Sequence, residues 1–291
     1  MNLGILRKVS EFGVALSPAL FQGTEALFAP LVLRPDMAGC IVKRDLAYGP
    51  EARHRLDIFY QSETLQSKQP VIVFVHGGGF IMGDKGSEGK IFYNNVGAWA
   101  VSKNFVGVTM NYRLAPSFGW PAGAQDLSMA VAYLIQVIET YGGDKNKIFV
   151  MGQSAGAAHV ASYVAKHHCP LDDLPIAGAI MISGLYDLIR LEKSPFENAY
   201  YGQDVEKFPE QSTLKALAET NIPCLYSISE FDPFSFQEQA AFLVDAYIAC
   251  RHRFPEILYL SGHNHISSIY QLSMPGDTLG DQLEYFMLRY S

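Results

Sequence analysis

Two kinds of apolar pattern run along the chain. In "IVKRDLAYG" and "HRLDIFY", between residues 41 and 60, apolar and polar positions alternate around a Gly-Pro turn. A period of two with a turn between predicts an antiparallel hairpin with one wet face. From Val71 the alternation gives way to unbroken apolar runs: "VIVFVH", "FVGVTMNY", "KIFVMG", "IAGAIMIS", "CLYSIS" and "EILYLSG". Strand-length runs of this kind are expected where both faces of a parallel sheet are covered. Helical stretches lie between them, such as "AQDLSMAVAYLIQVIETYGG", whose closing glycines suit a helix C-terminus. The alternation predicts an α/β fold: a mostly parallel central sheet with helices on both faces.

Two segments break that rhythm. The first forty residues are apolar-rich but interrupted by Pro18, Pro30 and Pro35, which predicts one or two short helices outside the sheet. The stretch from about Arg190 to Ala218 is longer than an ordinary crossover and rich in aromatics. Both read as parts of a small helical cap, at about 1–40 and 190–218, on a single domain spanning 1–291. Neither repeats nor a low-complexity linker divide the chain.

Composition narrows the function classes. Apolar residues make up 49% of the 291, enough for a large core. No apolar run approaches the roughly 18 residues that span a bilayer. The 22 basic against 29 acidic residues give a net charge of −7 with no basic tract, which argues against nucleic acid and anionic membrane surfaces. Cys40, Cys169, Cys224 and Cys250 lie far apart, in neither metal-ligand nor disulfide-framework spacing, and Cys224 reads as a small core residue. The N-terminal "MNLGILRKVSEFGVALSPALFQ" lacks the ordered basic, apolar and cleavage regions of a secretory signal, so a cytoplasmic protein is expected. Edge strands free to pair leave a homodimer open.

The chemistry starts at Gly152-Gln153-Ser154-Ala155-Gly156, between a predicted strand (147–152) and a helix of small residues (155–168). A G-x-S-x-G turn holds its serine on a strained strand-to-helix elbow, where bulky side chains at either glycine would clash with neighbouring strands. The helix N-terminus favours developing negative charge there. Ser154 is therefore the candidate nucleophile. His76-Gly77-Gly78-Gly79 follows a buried strand directly, and three glycines in a row cost backbone entropy that a conformational demand must justify. The N–H groups of Gly78, Gly79 and Ala155 are the candidate oxyanion donors, with His76 an anchor of the loop.

Acid and base should follow the serine in chain order, in loops after late strands. "CLYSISEFDPF" offers Glu230 and Asp232, and the Asp-Pro turn favours Asp232. "EILYLSGHNHISSIY" offers His263 and His265. His265 lies further beyond the strand, leaving His263 to line the pocket or steady the loop. His54, His159, His167 and His168 have no strand-end context and read as surface or packing residues. With His265 as base, Asp232 holding its tautomer and an acyl-enzyme on Ser154, neither metal nor organic cofactor is required.

"HGGGF", "NYRLAP", "GQSAG", "EFDPF" and "GHNHIS", in this order, resemble the hormone-sensitive-lipase-like branch of the α/β-hydrolases, from about Arg55 to the C-terminus. The resemblance implies an esterase acting on short to medium acyl esters, with a cap built from the N-terminus and the insertion after the sixth strand. It carries the catalytic roles to Ser154, Asp232 and His265 and the oxyanion hole to Gly78, Gly79 and Ala155. Tyr112, Arg113 and Asp126 resemble the family's structural marker below the site. Where that branch often has Asp before the serine, this chain has Gln153. Its Gly-His-Asn-His ending and "YYGQD" are closer to relatives that resemble feruloyl esterases and kynurenine formamidases.

The expected activity is a serine carboxylesterase acting on a small-molecule ester. Phe80, Gln153, Tyr186, Tyr201, Phe234 and His263 are the substrate-binding candidates, with Phe196 and Tyr200 further aromatic ones. An arylformamidase would share every catalytic part, although Gly79-Phe80 stands where that pattern usually has Trp or a second aromatic. A ligand-binding protein on the same scaffold is the third alternative, and the filled triad argues against it.

Overall fold

The computed structural model describes residues 3–36, 38–167 and 174–291. His168 and Cys169 lie outside the described residues. The strands are β1 (Ile41–Ala47), β2 (Arg55–Tyr60), β3 (Gln69–Val75), β4 (Val106–Met110), β5 (Gly143–Gln153), β6 (Gly178–Ile182), β7 (Cys224–Phe231) and β8 (Glu256–Asn264). They form one eight-stranded sheet in the order β1-β2-β4-β3-β5-β6-β7-β8. Only the β1/β2 and β2/β4 pairs are antiparallel, so the alternating hairpin caps one edge of an otherwise parallel sheet. This is the α/β-hydrolase architecture. β5 starts earlier than the apolar run alone suggests, at Gly143, which pairs with Gln69 of β3 ahead of an irregularity that takes up the polar residues 144–147.

The helices are α1 (Leu3–Glu11), α2 (Pro18–Phe28), α3 (Asn94–Ser102), α4 (Ala122–Val137), α5 (Ala155–Val164), α6 (Pro195–Tyr201), α7 (Phe208–Gln211), α8 (Leu214–Glu219), α9 (Phe234–Arg251), α10 (Ser267–Tyr270) and α11 (Gly280–Arg289). Their ends follow local chemistry. Ser17 Oγ accepts the Leu20 N–H ahead of Pro18 at the start of α2. After α4 the chain tightens into a short 3₁₀ turn that closes on Gly142 at φ 83°.

The pleat of β3 explains the unbroken apolar runs. Val71, Val73 and Val75 join the core shared with α4, α5, α8 and α9. Ile72 and Phe74 join the opposite core, with α1, α2, α3 and α11. Each such fully buried side chain contributes about 1.5–3 kcal/mol. The two segments outside the rhythm divide their work. Val9, Leu20 and Phe28 enter the core, and so do Leu217 and Ala218 of α8. Leu16, Phe21 and the stretch from Leu191 to Glu197 reach the carboxyl end of the sheet instead.

A buried charge cluster fastens the loop after β3. Asp57 on β2 is fully buried and accepts from Arg44 Nη1 at 2.6 Å, Lys85 Nζ at 2.7 Å and the Asp45 N–H at 2.8 Å. Lys85 is only 3% exposed, which is rare for a lysine unless it is paired. Its N–H donates to Asn111 Oδ1 at 2.6 Å, joining the loop to the end of β4. Removing the shared carboxylate leaves the buried Lys85 with only the exposed Asp45, at 2.9 Å, and Arg44 with only the neutral Asn94 amide, at 2.8 Å. Asp57→Ala should therefore lose about 3–5 kcal/mol of stability, read from the midpoint of urea unfolding; a loss below 1 kcal/mol would show that the cluster relaxes freely.

Candidate active site

Ser154 caps α5 with φ 56° and ψ −121°, a conformation costly for a non-glycine residue. Its surroundings impose it. The Ser154 N–H donates to the Ile182 carbonyl of β6 at 2.9 Å. At Gly156 a Cβ would collide with the carbonyls of Val75 and His76 on the adjacent strand. At Gly152 the collision is with the Gly156 and Ala157 backbone, within the turn itself, so only one of the two glycines makes room for a neighbouring strand. A side chain at either position would push the helix off the sheet.

The glycine loop crosses the left-handed region repeatedly, with φ 128° at Gly78, 57° at Gly79 and 104° at Gly83. Gly78, Gly79 and Ala155 line the same cavity as Ser154. Among the described residues none of their N–H groups donates to another protein group. The loop is braced from behind. His76 stacks on Tyr112 at 4.4 Å between ring centroids, and the Tyr112 hydroxyl donates to the His76 carbonyl at 2.9 Å. Arg53 donates to the carbonyls of Tyr112 at 2.7 Å and Gly83 at 2.9 Å. Arg113 in turn grips the buried Asp126 through its N–H at 2.7 Å and Nε at 2.8 Å.

His265 Nδ1 lies 2.5 Å from Asp232 Oδ1, and both residues are buried. The other Asp232 oxygen accepts from Ser183 Oγ at 2.7 Å and the Ser229 N–H at 2.6 Å, so the carboxylate is fixed on both sides. His265 Nε2 is buried without a hydrogen-bond partner, and His265 shares the cavity with Ser154. Glu230 is engaged elsewhere: it accepts from Ser261 Oγ at 3.0 Å and the Gly262 N–H at 2.6 Å, tying β7 to β8. The cavity holds about 520 Å³ and has mostly apolar walls.

A family model described as BD-FAE matches residues 56–217, more than half of the chain. The chain belongs to the BD-FAE family. Among curated proteins it is 33% identical over 121 residues to an isoprenylcysteine alpha-carbonyl methylesterase of Arabidopsis thaliana, covering 42% of this chain and 27% of that protein. It is 30% identical over 114 residues to esterase LipC of Mycobacterium tuberculosis, covering 39% and 27%. It is 30% identical over 169 residues to probable carboxylesterase 1 of Arabidopsis thaliana, covering 53% and 52%. The matches thus span from about a quarter to about half of these relatives' length. Among solved structures, esterase B from Lactobacillus rhamnosis superposes with a TM-score of 0.75 at 16% identity, over 98% of this chain and 93% of that one. An esterase from Pyrobaculum calidifontis gives 0.67 at 18%, over 96% and 100%.

In this BD-FAE chain, Phe80 and Gln153 line the cavity, but Tyr186, Tyr201, Phe234 and His263 do not. Tyr186 is buried in the core under the sheet, its ring edge-on to Tyr226 and its N–H held by Gln239. Tyr201 packs behind Phe80, edge-on at 5.4 Å, so Phe80 stands between it and the cavity. Tyr200 is stacked there too, at 4.6 Å. Phe234 is 72% exposed, and the wall beside it is made by Pro233, Ser235 and Phe236. His263 steadies the loop: its nitrogens face Ser267 Oγ at 3.0 Å and Thr278 Oγ1 at 3.5 Å. Of the exposed aromatics, Phe196 does reach the cavity. Sequence reasoning missed Leu16, Phe21, Tyr93, Phe236 and Tyr270 as wall residues and Ser183 as a partner of Asp232. The apolar context of Leu16 and Phe21 was a signal; an isolated serine at a strand end carries none.

Three histidines behind the site are held neutral. Burial pushes His76 down to about 4, His263 to about 4 and His159, enclosed by Phe80, Tyr112 and Tyr200, to about 3. Unfolding returns each to about 6.5. Below that pH the unfolded chain binds protons that the folded one refuses. Their contribution is therefore complete above about pH 6.5 and is lost as the pH falls toward 4. The slope is about 1.4 kcal/mol per pH unit per histidine. Urea unfolding at pH 7.5, 6 and 5 should show this decline, and His159→Phe should flatten it by about one proton; an unchanged slope in that variant would contradict the assignment.

Proposed function

We propose that the protein is a serine carboxylesterase acting on small-molecule esters of short- to medium-chain or aryl carboxylic acids. The observation that carries the reading is a buried Asp232–His265 pair, with one imidazole nitrogen left unpartnered, in the wall of the cavity that holds a strained serine elbow. In this mechanism His265 Nε2 takes the Ser154 proton as Oγ attacks the ester carbonyl. Asp232 keeps the imidazole in the right tautomer and stabilises the imidazolium. The N–H groups of Gly78, Gly79 and Ala155 receive the oxyanion, each worth about 3–4 kcal/mol in the transition state. The imidazolium then protonates the departing alcohol, and water returns the acyl-enzyme by the same route.

The names of the matched relatives, methylesterase, esterase and carboxylesterase, support ester over amide as the scissile bond. The segments around Leu16 and Phe21 and from Leu191 to Glu197 serve as the cap that shapes the pocket. No helix among the described residues is long and apolar enough to cross a membrane. The unpaired Cys40, Cys224 and Cys250 suit the reducing cytoplasm, where we place the enzyme. A homodimer would form through β1 or β8, the sheet edges.

The reading is tested by steady-state hydrolysis of p-nitrophenyl esters from acetate to decanoate. Ser154→Ala should lower kcat by at least about 10⁴-fold and Asp232→Asn by about 10⁴-fold, both folded by circular dichroism. A Ser154→Ala variant with wild-type turnover would refute the nucleophile. The cavity wall also predicts substrate charge. Among the described residues, its only ionisable acid or base side chains apart from His265 and the tyrosines are Glu192 and Glu197. An acyl chain ending in a carboxylate should react at least about 10-fold more slowly than its neutral isostere, through like-charge repulsion; equal kcat/KM would contradict this.

A further inference from the structure

Gln153 precedes the candidate nucleophile, is 1% exposed and differs from the residue the related branch often carries there. Its side chain does not simply face substrate. Nε2 donates to the backbone carbonyl of His265 at 2.9 Å, across 112 residues of sequence. On its other side the amide oxygen abuts Gly77, where even a Cβ would collide with it. One side chain thus touches the glycine loop and the base-bearing loop, and it belongs to the residue bonded to Ser154.

We propose that Gln153 is a positioning residue that sets the distance between Ser154 and His265. The inference rests on the esterase reading of the same cavity. Other bonds hold the base loop, with Asn264 Oδ1 accepting from the Ile266 and Ser267 N–H groups and its Nδ2 donating to Thr24 Oγ1, but none of these refers the loop to the nucleophile elbow. Asp232 holds Nδ1, Phe236 packs on the ring at 4.5 Å, and Ser268 Oγ makes a longer contact, 3.3 Å, to the same carbonyl. Asp232 fixes which nitrogen faces the serine but lets the ring pivot about that bond. The Gln153 bond fixes the backbone from which the ring hangs and refers it to the nucleophile's own neighbour. Misplacement of a reacting group by about 1 Å can cost on the order of 10²-fold in rate, so the bond that refers this loop to the nucleophile's neighbour governs turnover without touching the reacting atoms.

The discriminating variants are Gln153→Met, which keeps the length and bulk but removes the donor, and Gln153→Ala. Both should lower kcat on p-nitrophenyl butyrate by roughly 10–100-fold with KM within about two-fold of wild type. The peptide covering residues 263–267 should exchange amide hydrogen faster in both variants. If Gln153→Met keeps wild-type kcat, the side chain acts through packing and the proposal fails. If KM rises while kcat holds, Gln153 is a substrate contact, which also overturns it. Should the wild type hydrolyse none of the esters, the esterase reading fails by itself. Hydrogen exchange then decides the tether alone, faster exchange in Gln153→Met supporting it and unchanged exchange refuting it.

Discussion

The close approach of α5 to β3 is the constraint on which the site depends. Gly156 lies against the Val75 and His76 carbonyls with no room for a methyl group, and that proximity bends the chain through Ser154 at φ 56°. The strain, of order 1–3 kcal/mol, is held by a sheet whose strands are covered on both faces. It turns the serine out at a helix N-terminus and brings it beside the glycine loop. The buried Asp57 cluster and the Arg53 and Tyr112 contacts then stop that loop from drifting away.

The Asp232–His265 pair, the proposed acid and base, is supplied from the other side of the elbow. β7 and β8 deliver Asp232 and His265 in loops at their carboxyl ends, and Glu230 locks the two strands together. Asn264, next to the base, donates to Thr24 Oγ1 at 2.9 Å, so α2 holds the base loop while its Phe21 helps wall the cavity. α2 is for this reason more than a part of the cavity wall. It couples the shape of the pocket to the placement of the base.

Much of this was legible in the sequence because the relevant signals are local. Unbroken apolar runs mark strands covered on two faces, and all the runs named from them lie in the sheet. The glycines at 152 and 156 mark a turn that tolerates no side chain. The choice of Asp232 over Glu230 rested on an Asp-Pro turn, and only Asp232 contacts His265. The rest of the cavity wall was not legible, since Tyr93, Phe236 and Tyr270 converge from separate segments and each resembles ordinary core in its own context. Tyr186, Tyr201 and Phe234 failed for the mirror-image reason: they are near the site in sequence, but their backbones aim them at core or solvent. The burial of Lys85 was not legible either, because its carboxylate partners, Asp45 and Asp57, lie on β1 and β2, far from it in sequence.

The central claim is that one hydroxyl, activated by His265, attacks an acyl carbon in this cavity. Reaction with an alkyl p-nitrophenyl phosphonate tests it most directly, because the phosphorus takes the tetrahedral form that the attacked carbonyl would adopt. Intact-mass analysis followed by peptide mapping should find one phosphonyl group per chain, on Ser154, formed with stoichiometric release of p-nitrophenol. A folded protein that remains unmodified, or that carries the group on another residue while Ser154 stays free, would contradict the account.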